Sequence, residues 1–136
     1  MNPDSFRGAT RGLTVGTRTF INYGCFFDLG AETVIGDDCN IGYQAMFITC
    51  SHKLGDNWSR AGEATAEPIR VGAGTCIGAR AIIMPGVTIG PGCIIAAGSA
   101  VTLDCEPDSM YAGASAEVKK SFDSNVARQQ PGRSRF

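Results

Sequence analysis

Aliphatic residues recur at every sixth position along much of the chain: Val71, Ile77, Ile83, Ile89, Ile95 and Val101. The residue after each is small at every step but one: Gly72, Gly78, Gly90, Ala96 and Thr102, with Met84 the exception. Two earlier blocks repeat the pattern, Val15–Ile21–Phe27 and Ile35–Ile41–Phe47, with Gly16, Gly36 and Gly42 again following. Two extra residues enter between Phe27 and Ile35. Two positions before the aliphatic residues stand shorter side chains: Cys39, Thr75, Ala81, Val87, Cys93 and Ser99. In a strand, residues i−2 and i share a face while i−1 points the other way. Each hexad therefore predicts one short strand with a large and a small residue facing inward, followed by a glycine that permits a bend. A helix is excluded, because a period of six puts successive apolar residues on opposing sides of a 3.6-residue turn. Three such strands close a triangular coil of about 18 residues, and stacked coils make a solenoid.

The outward i−1 positions should be polar on a solvated coil, yet they include Phe20, Phe26, Val34, Met46, Ile82 and Ile94. Contiguous apolar surface of that size marks an interface or ligand groove, and a threefold homo-oligomer suits a triangular coil. Cys25, Cys39, Cys93 and Cys105 are assigned to the small inward position, where a thiol behaves as a small hydrophobe. No Cys-x₂-Cys spacing marks a zinc site.

Between Phe47 and Val71 the hexads stop, and Ser51 to Pro68 is a polar, glycine-containing stretch read as an extruded loop. Long interruptions of a compact repeat are commonly functional. At its base lies His52, the only histidine, the side chain type best suited to proton transfer near neutral pH, with a surface histidine of no role as the alternative. Asn22 follows an inward Ile where glycine is usual, which puts its amide at a coil corner. Asp28 falls in the eight-residue step beside Phe26, Phe27 and Leu29. A carboxylate there needs a partner or a purpose, and bonding to nearby backbone N–H groups is an alternative to a functional role.

The 136 residues make one domain, with a repeat body over 1–120 and a polar tail over 121–136 expected to be mobile. Twelve Lys+Arg against thirteen Asp+Glu give a net charge of −1, which argues against nucleic acid or an anionic membrane surface as the partner. The first residues lack the pattern of a signal peptide and no apolar run suits a membrane helix, so six cysteines point to reduced thiols and a cytoplasmic location.

The hexads, the stretch Asn22–Asp28 (NYGCFFD), the TCSHKLG run and the stretch Ile83–Thr102 resemble the hexapeptide-repeat acyltransferases. The branch they most resemble holds the maltose and galactoside O-acetyltransferases and related polysaccharide-modifying enzymes. The resemblance implies a left-handed parallel β-helix, a homotrimer with active sites between subunits, acetyl-CoA as co-substrate, and no metal. It implies His52 as the general base and Asn22, Asp28 and Glu63 in the acceptor site. The cofactor groove would run past Gly78, Ala79, Ala97 and Thr102, with Lys120 meeting its phosphates. Trp58 in the loop is assigned to stacking on a sugar ring, with packing on a neighbouring subunit as the alternative.

The sequence departs from the family pattern at Cys76, where tryptophan is common, and at Leu103, where lysine is usual. The terminal motif reads Gly113-Ala-Ser-Ala with Ser115 in place of proline, and Glu117 replaces a frequent arginine. The N-terminal helical segment of the maltose and galactoside enzymes has no counterpart in this sequence, and part of their acceptor site is expected to go with it. The expected activity is O-acetylation of a saccharide hydroxyl. Acetylation of an antibiotic-like xenobiotic, or a non-catalytic trimeric scaffold with decayed cofactor binding, are the alternatives. Arg128, Arg133 and Arg135 in the tail are read as solvated, with phosphate contact as the alternative.

Overall fold

A computed structural model describes residues 12–122. The chain climbs in triangular coils. The first holds β1 (Leu13–Val15), β2 (Phe20–Ile21) and β3 (Phe26–Phe27), and the second β4 (Thr33–Ile35), β5 (Asn40–Ile41) and β6 (Met46–Phe47). A hairpin of β7 (Cys50–Leu54) and β8 (Ala61–Ala66) then leaves the body. The third coil holds β9 (Ile69–Val71), β10 (Cys76–Ile77) and β11 (Ile82–Ile83), the fourth β12 (Thr88–Ile89), β13 (Ile94–Ile95) and β14 (Ala100–Val101). The end is closed by β15 (Ser109–Ala112) and β16 (Glu117–Ser121), which pair antiparallel. Equivalent strands of successive coils pair in parallel and give three faces: β1-β4-β9-β12, β2-β5-β10-β13-β15 with β16 at its edge, and β3-β6-β11-β14.

From the second coil on the inward rows behave as their period requires, whereas in the first Val15 is 39% exposed and Ile21 and Phe27 are half-buried. Ile35, Ile41, Phe47, Ile77, Ile83, Ile89, Ile95 and Val101 are all buried, and so are their short partners Cys39, Thr75, Ala81, Val87, Cys93 and Ser99. Phe27 stacks on Phe47 with ring centres 4.7 Å apart, the spacing at which neighbouring strands stack. Burial pushes the Cys105 thiol up to about 12 and raises Cys25, Cys76 and Cys93 in the same direction, so these thiols stay protonated. Cys105 does not take the small inward position assigned to it. It pairs with Ile89, in the row of large residues, because the hexad spacing ends after Val101.

The glycine after each aliphatic residue serves close approach rather than the bend. A Cβ on Gly72 would stand 2.4 Å from the Pro91 nitrogen of the next coil. The turn itself falls two residues later, at Gly74 (φ 72°) or, in other coils, at Asp38, Gln44 and Arg80 in the left-handed region.

Two further expectations are corrected. Residues 51–68 are not an irregular loop but largely an antiparallel hairpin, in which Ser51 faces Thr65. Its strands are largely exposed, and their alternation, Cys50 and His52 against Ser51 and Lys53 and Ala64 and Ala66 against Glu63 and Thr65, has a period of two rather than six. Ser121 closes β16 rather than opening a tail, whereas the tail arginines lie outside the described residues. The outward apolar residues divide by face: Phe20 and Ile94 on the second, Phe26, Met46 and Ile82 on the third, and Val34 alone on the first among Thr14, Arg70 and Thr88.

Gly72→Ala should lower the melting temperature by an amount equivalent to about 1–3 kcal/mol, since the next coil's backbone must shift. Gly74→Asn has open space and a tolerated turn conformation. It should cost less than about 1 kcal/mol. Calorimetric melting of the two variants checks the contrast.

Candidate active site

The third face is the strip between two coil edges that carry most of the candidate residues. One edge is a ladder in which Asn22 N–H donates to Ile41 O (2.9 Å), Gly42 N–H to Ile77 O (2.6 Å) and Gly78 N–H to Ile95 O (2.7 Å). Asn22, Gly78, Ala79 and Ala97 therefore follow one another along this edge. Asn22 and Gly78 lie two strand spacings apart, about 10 Å. The Asn22 side-chain amide also donates to Ile41 O (3.0 Å), which holds it against the coil. Gly78 leaves no room for a side chain, since a Cβ there would lie 2.4 Å from the Ala97 nitrogen. Beside Asn22 on the same edge, Tyr23 is 86% exposed, and Tyr43 follows one coil on.

The opposite edge is a second ladder: Asp28 N–H donates to Phe47 O, Ile48 N–H to Ile83 O and Met84 N–H to Val101 O. The hairpin leaves from this edge just after Ile48. Thr102 follows Val101 on the same edge, and its hydroxyl lies 2.6 Å from that of Ser115, the residue in the terminal motif's proline position. Between the edges, the third face turns Phe26, Met46, Ile82 and Ala100 outward.

His52 sits in β7 opposite Ala64 and is exposed. The pairing slips between His52 and Leu54, an irregularity of the kind that re-aims a side chain beside a site. Glu63, expected in the acceptor pocket, bonds Lys53 across the hairpin at 2.9 Å. One residue removed from Ala64, it points to the side of the hairpin opposite His52. Trp58 stands at the hairpin tip, 81% exposed, in a turn closed by Ser59 N–H to Asp56 O. Lys120 lies in β16 opposite Met110, on the second face, its ammonium 5.8 Å from the Phe122 ring centre. Within one chain, then, Asp28 and the root of the His52 hairpin come together, Gly78, Ala79 and Ala97 line the far edge with Asn22, and Lys120 lies two strands beyond Ile94 on the second face.

The Asp28 carboxylate is the most heavily bonded side chain of the region. It accepts from Thr49 N–H (3.0 Å to each oxygen), from Cys50 N–H (3.0 Å) and from the Thr49 hydroxyl at short range. Burial works to raise its pKa, but the donors of Thr49 and Cys50 outweigh it and hold the carboxyl below its usual range. Sequence reasoning missed Thr49, which is fully buried, because it lies just past the last hexad residue of its coil. Among the described residues, no group of three or more His, Cys, Asp or Glu side chains is placed to hold a metal ion, and no helix is long and apolar enough to cross a membrane.

Three faces of short parallel strands, each coil resting on the next, define a β-helical solenoid. The profile described as bacterial transferase hexapeptide (six repeats) matches residues 68–102, and that of the hexapeptide repeat of succinyl-transferase matches residues 32–57. A hexapeptide-repeat-containing acetyltransferase from Vibrio cholerae, solved with acetyl-coenzyme A, has 34% identity and a TM-score of 0.79 over 84% of this chain and 62% of its own. A maltose O-acetyltransferase from Clostridium difficile has 32% identity and a TM-score of 0.78 over 83% of this chain and 60% of its own. Nodulation protein L of Rhizobium meliloti is 35% identical over 107 residues, 79% of this chain and 58% of its own length. The chain belongs to the hexapeptide-repeat transferases, and its coil is their left-handed parallel β-helix. It spans little more than half the length of the curated relatives it matches.

A lowered carboxyl pKa stabilises the fold above the unfolded value and loses that effect as pH falls through and below it. The melting temperature of the wild type should exceed that of Asp28→Asn most near pH 6, and the gap should narrow as pH falls below the ordinary value of 3.8. Melting curves between pH 6 and 3 check this.

Proposed function

We propose that the chain is an acetyl-CoA-dependent O-acetyltransferase that acylates a saccharide hydroxyl by direct transfer, with His52 as general base. The observation that carries the reading is the placement of the sequence's single histidine, exposed on a hairpin rooted at the edge of the third face. The Vibrio cholerae relative with its bound acetyl-coenzyme A supports the donor, and the Clostridium difficile maltose O-acetyltransferase supports a sugar acceptor.

In this mechanism His52 accepts the proton of an acceptor hydroxyl while that oxygen forms a bond to the thioester carbonyl carbon. A backbone N–H at the coil edge near Ala79 meets the oxyanion of the tetrahedral intermediate. Its collapse breaks the carbon–sulfur bond, and His52 passes the proton to the departing thiolate. No covalent enzyme intermediate forms, so none of the cysteines is needed as a nucleophile.

The same reading makes the protein a homotrimer. A subunit in a threefold ring uses two different surfaces. This chain has two faces with apolar outward residues, which meet at the edge carrying Asn22, Ala79 and Ala97, beside a first face that is largely polar. Phe20, 64% exposed in the single chain, would be covered there. In that ring His52 of one subunit serves cofactor residues of its neighbour, since within one chain its hairpin leaves from the edge opposite Gly78, Ala79 and Ala97. Six free cysteines suit a reducing cytoplasm. Cys76 and Leu103 face outward, the latter 76% exposed, and a scaffold that no longer binds the cofactor is the reading these departures would favour.

His52→Ala should lower the rate of acetyl transfer roughly 10²–10⁴-fold, the worth of a general base. The trimer, seen by light scattering, and the melting temperature should change little. Transfer is read as product mass over a panel of saccharides including maltose. Near wild-type turnover in the variant rules out His52 as the base.

A further inference from the structure

We infer that Asp28 is a positioning residue for His52, fixing the strand that carries the base, rather than a contact to the acceptor. The inference rests on the reading of His52 as general base. Both oxygens of Asp28 point at the root of the hairpin, where they take the N–H groups of Thr49 and Cys50 and the Thr49 hydroxyl. These donors belong to the following coil, some twenty residues on, so the carboxylate ties the first coil to the hairpin of the second.

The clasp is reinforced from two sides. The Thr49 hydroxyl accepts from Ala31 N–H (3.0 Å), and Thr49 O accepts from Glu67 N–H (2.9 Å), so both hairpin strands are tied at one residue. Gly30, two residues from Asp28, lies directly under Cys50, where a Cβ would stand 2.1 Å from the Cys50 sulfur. Cys50 and His52 are alternate residues of β7 and so share a face. Whatever fixes the backbone at Cys50 therefore sets the direction of the imidazole.

Beyond His52 the register slips, and the hairpin runs out to an exposed tip held mainly by its own bonds. The root is thus the place where the direction of His52 is set. Asparagine at position 28 would turn an N–H₂ toward donors that need acceptors, so it loosens the clasp without changing size. A displacement of about 1 Å at a base costs as much as 10²-fold in rate.

The test compares Asp28→Asn, Thr49→Val and Thr49→Ser in the full-length protein. The first readout is amide hydrogen exchange, which needs no acceptor. Asp28→Asn should speed exchange at residues 49–54 at least tenfold, while the strands between residues 69 and 101 keep their protection. Unchanged exchange at 49–54 overturns the inference. The second readout is kinetic, with acetyl-CoA and the saccharide the wild type turns over best. Asp28→Asn should lower kcat tenfold or more with the acceptor KM within twofold, and should lower the residual rate no further in a His52→Ala background. A raised acceptor KM with kcat retained makes Asp28 an acceptor contact and overturns the inference. Thr49→Val should show the same pattern more weakly and Thr49→Ser should restore it, which keeps the test open if Asp28→Asn does not fold. An active His52→Ala enzyme counts against the general base and leaves the exchange result to stand on its own.

Discussion

Everything in this molecule depends on coils resting on one another at the spacing of a β-ladder. That spacing dictates the inward rows, since each Ile or Val must meet its equivalent one coil away without a gap. The stacked rings of Phe27 and Phe47 follow the same spacing, at 4.7 Å. It also dictates the corner glycines, because at Gly72 and Gly78 the backbone of the next coil occupies the place of a side chain. Close packing of this kind makes edges that are regular, shallow and made largely of main chain and small residues.

Such an edge lends itself to an extended ligand but carries little chemistry of its own. Reactive side chains must be added where the repeat is interrupted. Here the interruption is the hairpin after Thr49, and the repeat holds it through one carboxylate from the coil before. Asn22 on one edge and Asp28 on the other bracket β3, so the first coil contributes to both borders of the third face.

The fold was largely legible in the sequence because a period of six with an inward pair per step has one structural meaning. Val71 to Val101 and their short partners are buried as the period demands. Other features were not legible, for physical reasons. The hairpin strands are largely exposed and alternate with period two over only a few residues, which does not register against a period of six. The corner glycines looked like bends because the sequence records their smallness but not the neighbouring coil that enforces it. Cys105 was misplaced because its row is identified only by pairing with Ile89. His52 was legible as a lone histidine beside an interruption. The partners of Asp28 were not, because Thr49 and Cys50 are reached across a coil and not along the chain.

The central claim, that this coil edge works with acetyl-CoA, is tested most directly by calorimetric titration of acetyl-CoA into the purified protein. The account predicts saturable binding at about one site per chain, with no acceptor present. Absence of binding at millimolar acetyl-CoA would contradict it and leave a scaffold, or an enzyme with a different donor.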